Sequence, residues 1–316
     1  MNSRLEQQRI AVLLPCYNEA GAISDVVAAF RDAFPKASIF VYDNNSTDDT
    51  AVLAAAAGAT VRHESYQGKG HVVRRMFADV DADVYVMADG DGTYDASSAA
   101  EMLRMLSEQR LDMVVGTRMN SSGEAQFRAG HRFGNRLFTA FVGWLFGRTF
   151  TDILSGYRVF SRRFVKSFPV LSTGFEIETE LTVHALQMHM PVGERDTVYG
   201  VRALGSQSKL NTYSDGLRIA WTIMRLFKQV RPVLFFSALA VVLAAASVVL
   251  AWPIFTHWLA TGLVPRLPTA VLATGMMLLA SLAVAAGWVL ESVAQARLEA
   301  KRLAYLAIGE SPRAGH

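Results

Sequence analysis

The chain has 316 residues, 51% of them hydrophobic, with a formal net charge of +3. That length accommodates one sizeable α/β domain plus an appendage, and so modest a charge points away from nucleic acid as a partner. The lone cysteine, Cys16, excludes an intrachain disulfide and sits in an apolar run, where a small buried residue is expected.

The opening segment, Met1–Arg9, is polar and leads into a strand, not an apolar signal region, so the domain is expected to start and stay in the cytosol. Arg9–Pro15 (RIAVLLP) reads as a buried strand. Gly21–Phe34 carries Ile23, Val26, Val27 and Phe30 at helical spacing, and Ser38–Tyr42 is a second strand ending at Asp43. Asp48–Ala57 is an Ala-rich helix, with Ser46 or Thr47 placed to cap it. Then follow a strand at Thr60–His63, a helix at Lys69–Val80, a strand at Val84–Ala88, a helix at Ser97–Gln109 and a strand at Asp112–Val115. This alternation predicts a mostly parallel sheet covered on both faces, with ligands at the carboxyl ends of its strands. Three polar clusters fall at such ends: Asn18-Glu19, Asp43-Asn44-Asn45 and Asp89-Gly90-Asp91-Gly92.

Beyond Gly116 the character changes. Gly130–Gly147 mixes Arg132 and Arg136 with Phe133, Phe138, Phe141, Trp144 and Phe146, and Tyr213–Arg231 sets Trp221, Leu226 and Phe227 beside Arg218, Arg225 and Lys228. Both suggest amphipathic helices at a membrane interface, with aromatic core helices as the alternative. Pro232–Pro265 and Leu267–Leu290 contain no Asp, Glu, Lys or Arg. Each supplies the roughly 20 apolar residues of a membrane span, at about 232–252 and 269–290. Arg225, Lys228 and Arg231 precede the pair, and Arg297, Lys301 and Arg302 follow it. The positive-inside rule then gives a hairpin with both termini cytoplasmic. Residues 292–316 read as a cytoplasmic, basic amphipathic tail.

Asp89 and Asp91, at i and i+2 beyond a strand, can both face one hard cation. Mg²⁺ or Mn²⁺ held by one or two carboxylates and a substrate diphosphate is the expected use. Such an ion neutralises charge on a leaving nucleoside diphosphate. The tetrapeptide alone is weak, because Asp and Gly are also turn residues, and its place among three strand-end clusters is what strengthens it. Gly68-Lys69-Gly70 lacks the spacing of a phosphate-binding P-loop. His131, His184 and His189 show no metal-ligand spacing.

In these motifs the chain resembles glycosyltransferase family 2 of the GT-A fold, and within it the polyprenyl-phosphate sugar transferases of the dolichyl-phosphate mannose synthase type. The matching residues are Pro15-Cys16-Tyr17-Asn18-Glu19, Asp43-Asn44-Asn45-Ser46-Thr47-Asp48, Gly68-Lys69-Gly70 with Arg74 and Arg75, and Asp89-Gly90-Asp91. Gly116-Thr117-Arg118, Asp152, Ser155-Gly156-Tyr157-Arg158 and Ser208-Lys209-Leu210 continue the match in order across about residues 9–230. The resemblance implies that Pro15, Tyr17, Glu19, Asp43, Asn45, Lys69, Asp89 and Gly90 form the nucleotide site, with Asp43 reading the base. It implies metal ligation by Asp89 and Asp91, with Asp91 directly in catalysis, and phosphate contacts from Arg118, Arg158 and Lys209. Asp152 matches the aspartate proposed as base in relatives. Where many relatives carry a glutamine assisting the metal, this chain has Thr93, which leaves the third protein ligand open.

The expected fold is therefore an α/β GT-A nucleotide-sugar-binding domain over residues 1–230, followed by a two-helix membrane hairpin over 231–291. The expected reaction is inverting transfer from a nucleotide-sugar, with a UDP-sugar favoured, to a polyprenyl phosphate at the cytoplasmic face of the inner membrane. One alternative is a family 2 enzyme acting on a polysaccharide or glycolipid. Another is a non-catalytic membrane protein that keeps a nucleotide-binding domain. A homo-oligomer is compatible with the sequence, which leaves the oligomeric state open.

Overall fold

Strands β1 (Ile10–Cys16), β2 (Ser38–Asp43), β3 (Thr60–His63) and β4 (Val84–Met87) alternate with helices α1 (Ile23–Ala33), α2 (Thr50–Ala56), α3 (Lys69–Asp79) and α4 (Ala96–Glu108). The structure, a computed structural model, describes residues 8–119, 140–147, 150–174, 176–200, 221 and 224–309. These elements follow the sequence periodicity to within a residue or two. Strand β5 (Met113–Met119) runs past its expected end. The N-cap position falls at Asp49, not at Ser46 or Thr47, and makes no side-chain cap hydrogen bond; the preceding Asp48 accepts the Thr50 N–H on Oδ1 at 3.1 Å, and Ser46 Oγ accepts the Asn18 N–H at 2.9 Å.

Among the described residues the domain continues with β6 (Arg158–Ser161), α5 (Arg162–Ser167), α6 (Ile177–Gln187) and β7 (Val192–Val198). The seven strands lie in the order β3-β2-β1-β4-β6-β5-β7. Only β6 is antiparallel to its neighbours, β4 and β5. Val12, Leu13 and Leu14 of β1, and Val84 to Met87 of β4, are buried almost completely. Central parallel strands covered on both faces produce such unbroken apolar runs. Helix α1 lays Ile23, Val26, Val27 and Phe30 against this sheet, each buried side chain contributing roughly 1.5–3 kcal/mol. Cys16 is buried as expected, and burial pushes its thiol pKa well up.

The chain forms two compact units, Met1–Leu217 with Lys301–His316, and Arg218–Ala300. The second contains α7 (Pro232–Thr261) and most of α8 (Leu267–Ala307), both long and apolar enough to cross a membrane. They pack antiparallel through small residues. Ala240, Ala280 and Ala283 are buried together, and Ser247 Oγ donates to the Ala273 carbonyl at 2.7 Å. Small residues let helix backbones approach closely where lipid supplies no hydrophobic drive. The first part of the expected basic amphipathic tail at 292–316 is the unbroken continuation of α8 to Ala307. Its end belongs to the first unit, where Tyr305 donates to Asp112 Oδ2 at 2.8 Å and Arg163 lies 5.0 Å from the Tyr305 ring centroid.

The expected interfacial helix at 130–147 is described only from residue 140, and the one at 213–231 only at 221 and from 224. In these stretches Trp144 and Trp221 are exposed.

Candidate active site

Parallel pairing of β1 with β2 and β4 brings their carboxyl ends to one edge of the sheet, with Cys16 opposite Asp43. The loops beyond them are laced together. Asn18, left-handed at φ 55°, accepts the Thr47 N–H on Oδ1 at 2.7 Å. Glu19 N–H donates to Thr50 Oγ1 at 2.8 Å, and Ala20 N–H to Asp48 Oδ2 at 3.1 Å. Asn44 donates to the carbonyls of Glu64 and Tyr66 and accepts the Gly68 N–H at 2.7 Å. Asn45, expected to contact the nucleotide, directs its side-chain N–H groups to the Ser65 carbonyl and Gln67 Oε1. Pro15, Tyr17 and Glu19 are half-buried at this edge.

Asp43 is buried. Its Oδ2 accepts the Ser46 N–H at 3.3 Å and lies 3.3 Å from His63 Nδ1. Its Oδ1 is buried with no hydrogen-bond partner. An unsatisfied buried acceptor costs about 1–3 kcal/mol, more when charged, so this oxygen is suited to receive a ligand N–H.

Beyond β4, the Asp89 side chain is one-third exposed while Asp91 is buried. Asp91 Oδ1 accepts from Thr93 Oγ1 at 2.6 Å and from Thr93 N–H at 3.1 Å. Thr93 therefore orients Asp91 by donating to it. Among the described residues no group of three or more His, Cys, Asp or Glu is placed to hold a metal. Two carboxylates from one turn, open on the side of Asp89, fit Mg²⁺ or Mn²⁺ that takes its remaining ligands from a diphosphate and water.

Lys69 enters this site from the start of α3. Its Nζ lies 2.5 Å from Asp89 Oδ1 and 2.6 Å from Glu178 Oε1. Burial works against the ammonium, but the two carboxylates more than offset it and hold its pKa above the ordinary lysine value. The flanking glycines permit this approach. A Cβ on Gly70 would meet the Ser172 carbonyl oxygen at 2.3 Å, and one on Gly68 would meet that of Thr173 at 2.2 Å. Gly156 closes the cage, since a Cβ there would sit 2.8 Å from Asp89 Oδ2 and 3.0 Å from Lys69 Nζ. Gly90 abuts the Cys16 thiol. Glu178 escaped the sequence reading, although an acid in a helix as apolar as α6 is itself a signal, because a buried charge needs a partner.

The two arginines expected at phosphates differ. Arg118 pairs with Asp152 in a two-pronged bridge, Nε to Oδ2 at 2.6 Å and an η-nitrogen to Oδ1 at 2.8 Å. Its guanidinium lies 5.8 Å from the Tyr199 ring centroid. Tyr199 packs on Tyr94 at 5.4 Å, and Tyr94 on Tyr157 at 4.9 Å. The Tyr94 hydroxyl accepts the Gly156 N–H, so an aromatic column unseen in the sequence joins the Asp89–Asp91 turn to Arg118.

Arg158 departs from expectation. It is fully buried and donates to the carbonyls of Ser155, Ile153 and Glu178 and to Thr182 Oγ1, at 2.6–3.0 Å. Burial, partly opposed by Glu178 and Asp152, pushes its pKa down to about 10. With its donors committed to the chain, it ties the 153–155 turn to α6 and is not placed to grip a phosphate. Lys209 lies outside the described residues.

The family described as Glycosyl transferase family 2 matches residues 11–168. The glycosyltransferase AglJ of Haloferax volcanii is 36% identical over 250 residues, covering 79% of this chain and 82% of that protein. The dolichyl-phosphate hexose transferase of the same organism is 27% identical over 217 residues, covering 68% of this chain and 92% of its own. Among solved structures, glucosyl-3-phosphoglycerate synthase from Mycobacterium tuberculosis in complex with Mn²⁺, uridine-diphosphate and phosphoglyceric acid aligns with a TM-score of 0.56. The identity is 21%, over 71% of this chain and 78% of that one, a likeness of fold.

Proposed function

The chain belongs to glycosyl transferase family 2, and from that premise we propose that it transfers a sugar from a nucleotide-sugar, with a UDP-sugar favoured, to a polyprenyl phosphate at the cytoplasmic face of the membrane, inverting the anomeric carbon. The observation that carries this reading is one chain holding both the strand-end pair Asp89 and Asp91, with Lys69 against Asp89, and two long apolar helices of 30 and 41 residues. A soluble acceptor gives no reason for such helices in the same chain as a donor site, whereas a lipid phosphate needs its head at cations and its tail in hydrocarbon. A relative named for a dolichyl-phosphate acceptor supports the same class.

In this reading Pro15, Tyr17 and Glu19 line the nucleotide pocket, and the unpartnered Oδ1 of Asp43 takes an N–H of the base. Asp89 and Asp91 hold Mg²⁺ or Mn²⁺ with the donor diphosphate. That ion, when bound, neutralises the charge developing on the leaving group. Arg118 and Lys209 meet the acceptor phosphate. An acceptor oxygen attacks the anomeric carbon and its electron pair forms the new C–O bond. The bond to the donor diphosphate breaks, and its electrons leave with the nucleoside diphosphate. The attacking oxygen is already ionised near neutral pH, so no strong base is required. Asp152 accordingly serves to hold Arg118 in place.

The test is transfer by the full chain in detergent with Mn²⁺, a panel of nucleotide-sugars and a short-chain polyprenyl phosphate, with the lipid product identified by mass spectrometry. A polyprenyl-phosphate sugar is expected. Transfer only to glycolipid or polysaccharide acceptors, or no donor turnover with any acceptor, overturns the assignment.

A further inference from the structure

Glu178 is a buried acid for which the reaction described above has no task. Its side chain is 6% exposed, and its Oε1 lies 2.6 Å from Lys69 Nζ, itself 2.5 Å from Asp89 Oδ1. The surrounding structure fixes it there. Arg158 and Thr182 donate to its main-chain carbonyl. Two residues on in α6, Glu180 accepts the N–H groups of Leu171 and Ser172, in the loop that packs on Gly68 and Gly70.

One ammonium thus stands between two carboxylates, and one of those carboxylates has a second claimant. A divalent cation at Asp89 and Asp91 competes with Lys69 for the Asp89 oxygen. Were Asp89 the only partner, the arriving cation would leave a buried ammonium unpaired beside a like charge, an arrangement strongly disfavoured in a desolvated site. Resting on the reading of Asp89 and Asp91 as the cation and diphosphate site, we propose that Glu178 is a positioning residue. It keeps Lys69 paired and beside Asp89 while Asp89 turns to the cation. The lysine then remains at the site as a second positive charge for the diphosphate.

The experiment measures Mn²⁺ binding to the detergent-solubilised full chain in the presence of UDP, from the electron paramagnetic resonance signal of free Mn²⁺. The wild type is compared with Glu178→Gln, Lys69→Gln and the double variant. Glu178→Gln should weaken Mn²⁺ binding about tenfold, because releasing Asp89 now strands the lysine. In the Lys69→Gln background the same change should cost at most about threefold, because no ammonium is left to strand. Equal losses in both backgrounds, or no loss in either, overturn the proposal while leaving the cation site intact. Absence of Mn²⁺ binding by the wild type would sink the cation site itself, and this inference with it. If Glu178→Gln does not fold, Glu178→Asp takes its place, since the charge remains but its reach to Nζ is one methylene shorter. Binding should then weaken with Lys69 present and hold with Lys69→Gln, and an equal effect in both backgrounds overturns the proposal.

Discussion

Replacing Arg158 with leucine separates a structural arginine from a phosphate ligand. The side chain has no solvent exposure and donates to two carbonyls, Ser155 and Ile153, whose 153–155 turn it anchors. Its other main-chain acceptor, the Glu178 carbonyl, also receives the Thr182 hydroxyl and is less dependent on it. Leucine leaves the first two carbonyls buried and unpaired at about 1–3 kcal/mol each, so roughly 4 kcal/mol in total. For a domain of this size that lowers the melting temperature by about 8–16 °C. Lysine should rescue little, because a single ammonium cannot reproduce the planar fork that reaches the turn and α6 together. Thermal unfolding followed by tryptophan fluorescence in detergent gives the shift, and Arg118→Gln, at the cleft, serves as contrast. Arg118→Gln should also lower the melting temperature, since it strips Asp152 of its two-pronged partner, and at temperatures where it stays folded it should lose most transfer to short-chain polyprenyl phosphate. An Arg158→Leu protein that melts within about 2 °C of wild type but has lost transfer would refute the structural assignment and restore Arg158 as a phosphate ligand.

Asp91→Asn should retain the fold and abolish turnover, since it removes one charged oxygen donor from the proposed cation site; near-normal activity in chelator-treated buffer would remove that site from the mechanism. His184 is buried against Phe164 and Phe168 with both ring nitrogens unpartnered, and burial, aided by Lys301, lowers its pKa to about 3. Below about pH 6.5 the unfolded chain takes up a proton that the folded one refuses, so stability should fall by about 1.4 kcal/mol per pH unit, roughly 2 kcal/mol by pH 5, and continue falling toward pH 3. Melting curves of wild type and His184→Phe should diverge over that window, and parallel curves would exclude the histidine. Accessibility tags near Thr261 should report the far side of the membrane and tags at both termini the cytoplasm, following the Lys and Arg flanking the two spans; termini on opposite sides would mean that only one helix crosses.

Features that depend on neighbours along the chain could be read before any fold was known. Periodicity places β1 to β4 and α1 to α4, because apolar faces repeat every two or 3.6 residues whatever the rest of the fold does. The uncharged runs 232–265 and 267–290 announce the two long helices by composition alone. The strand-end clusters around Asn18, Asp43 and Asp89 were legible for the same reason: a strand-to-helix turn carries its polar residues with it. Other features arise from long-range packing. Strand β6 is four residues long, and its insertion between β4 and β5 is a matter of long-range pairing. The two arginines look alike in sequence, yet Arg118 meets Asp152 while Arg158 vanishes beneath α6, because burial is set by what packs over a side chain. Glu178 reaches Lys69 only after α6 packs against α3 and the glycines let the 172–173 backbone close on α3. A charge so placed is stabilised by partners distant in sequence, and no local pattern records them.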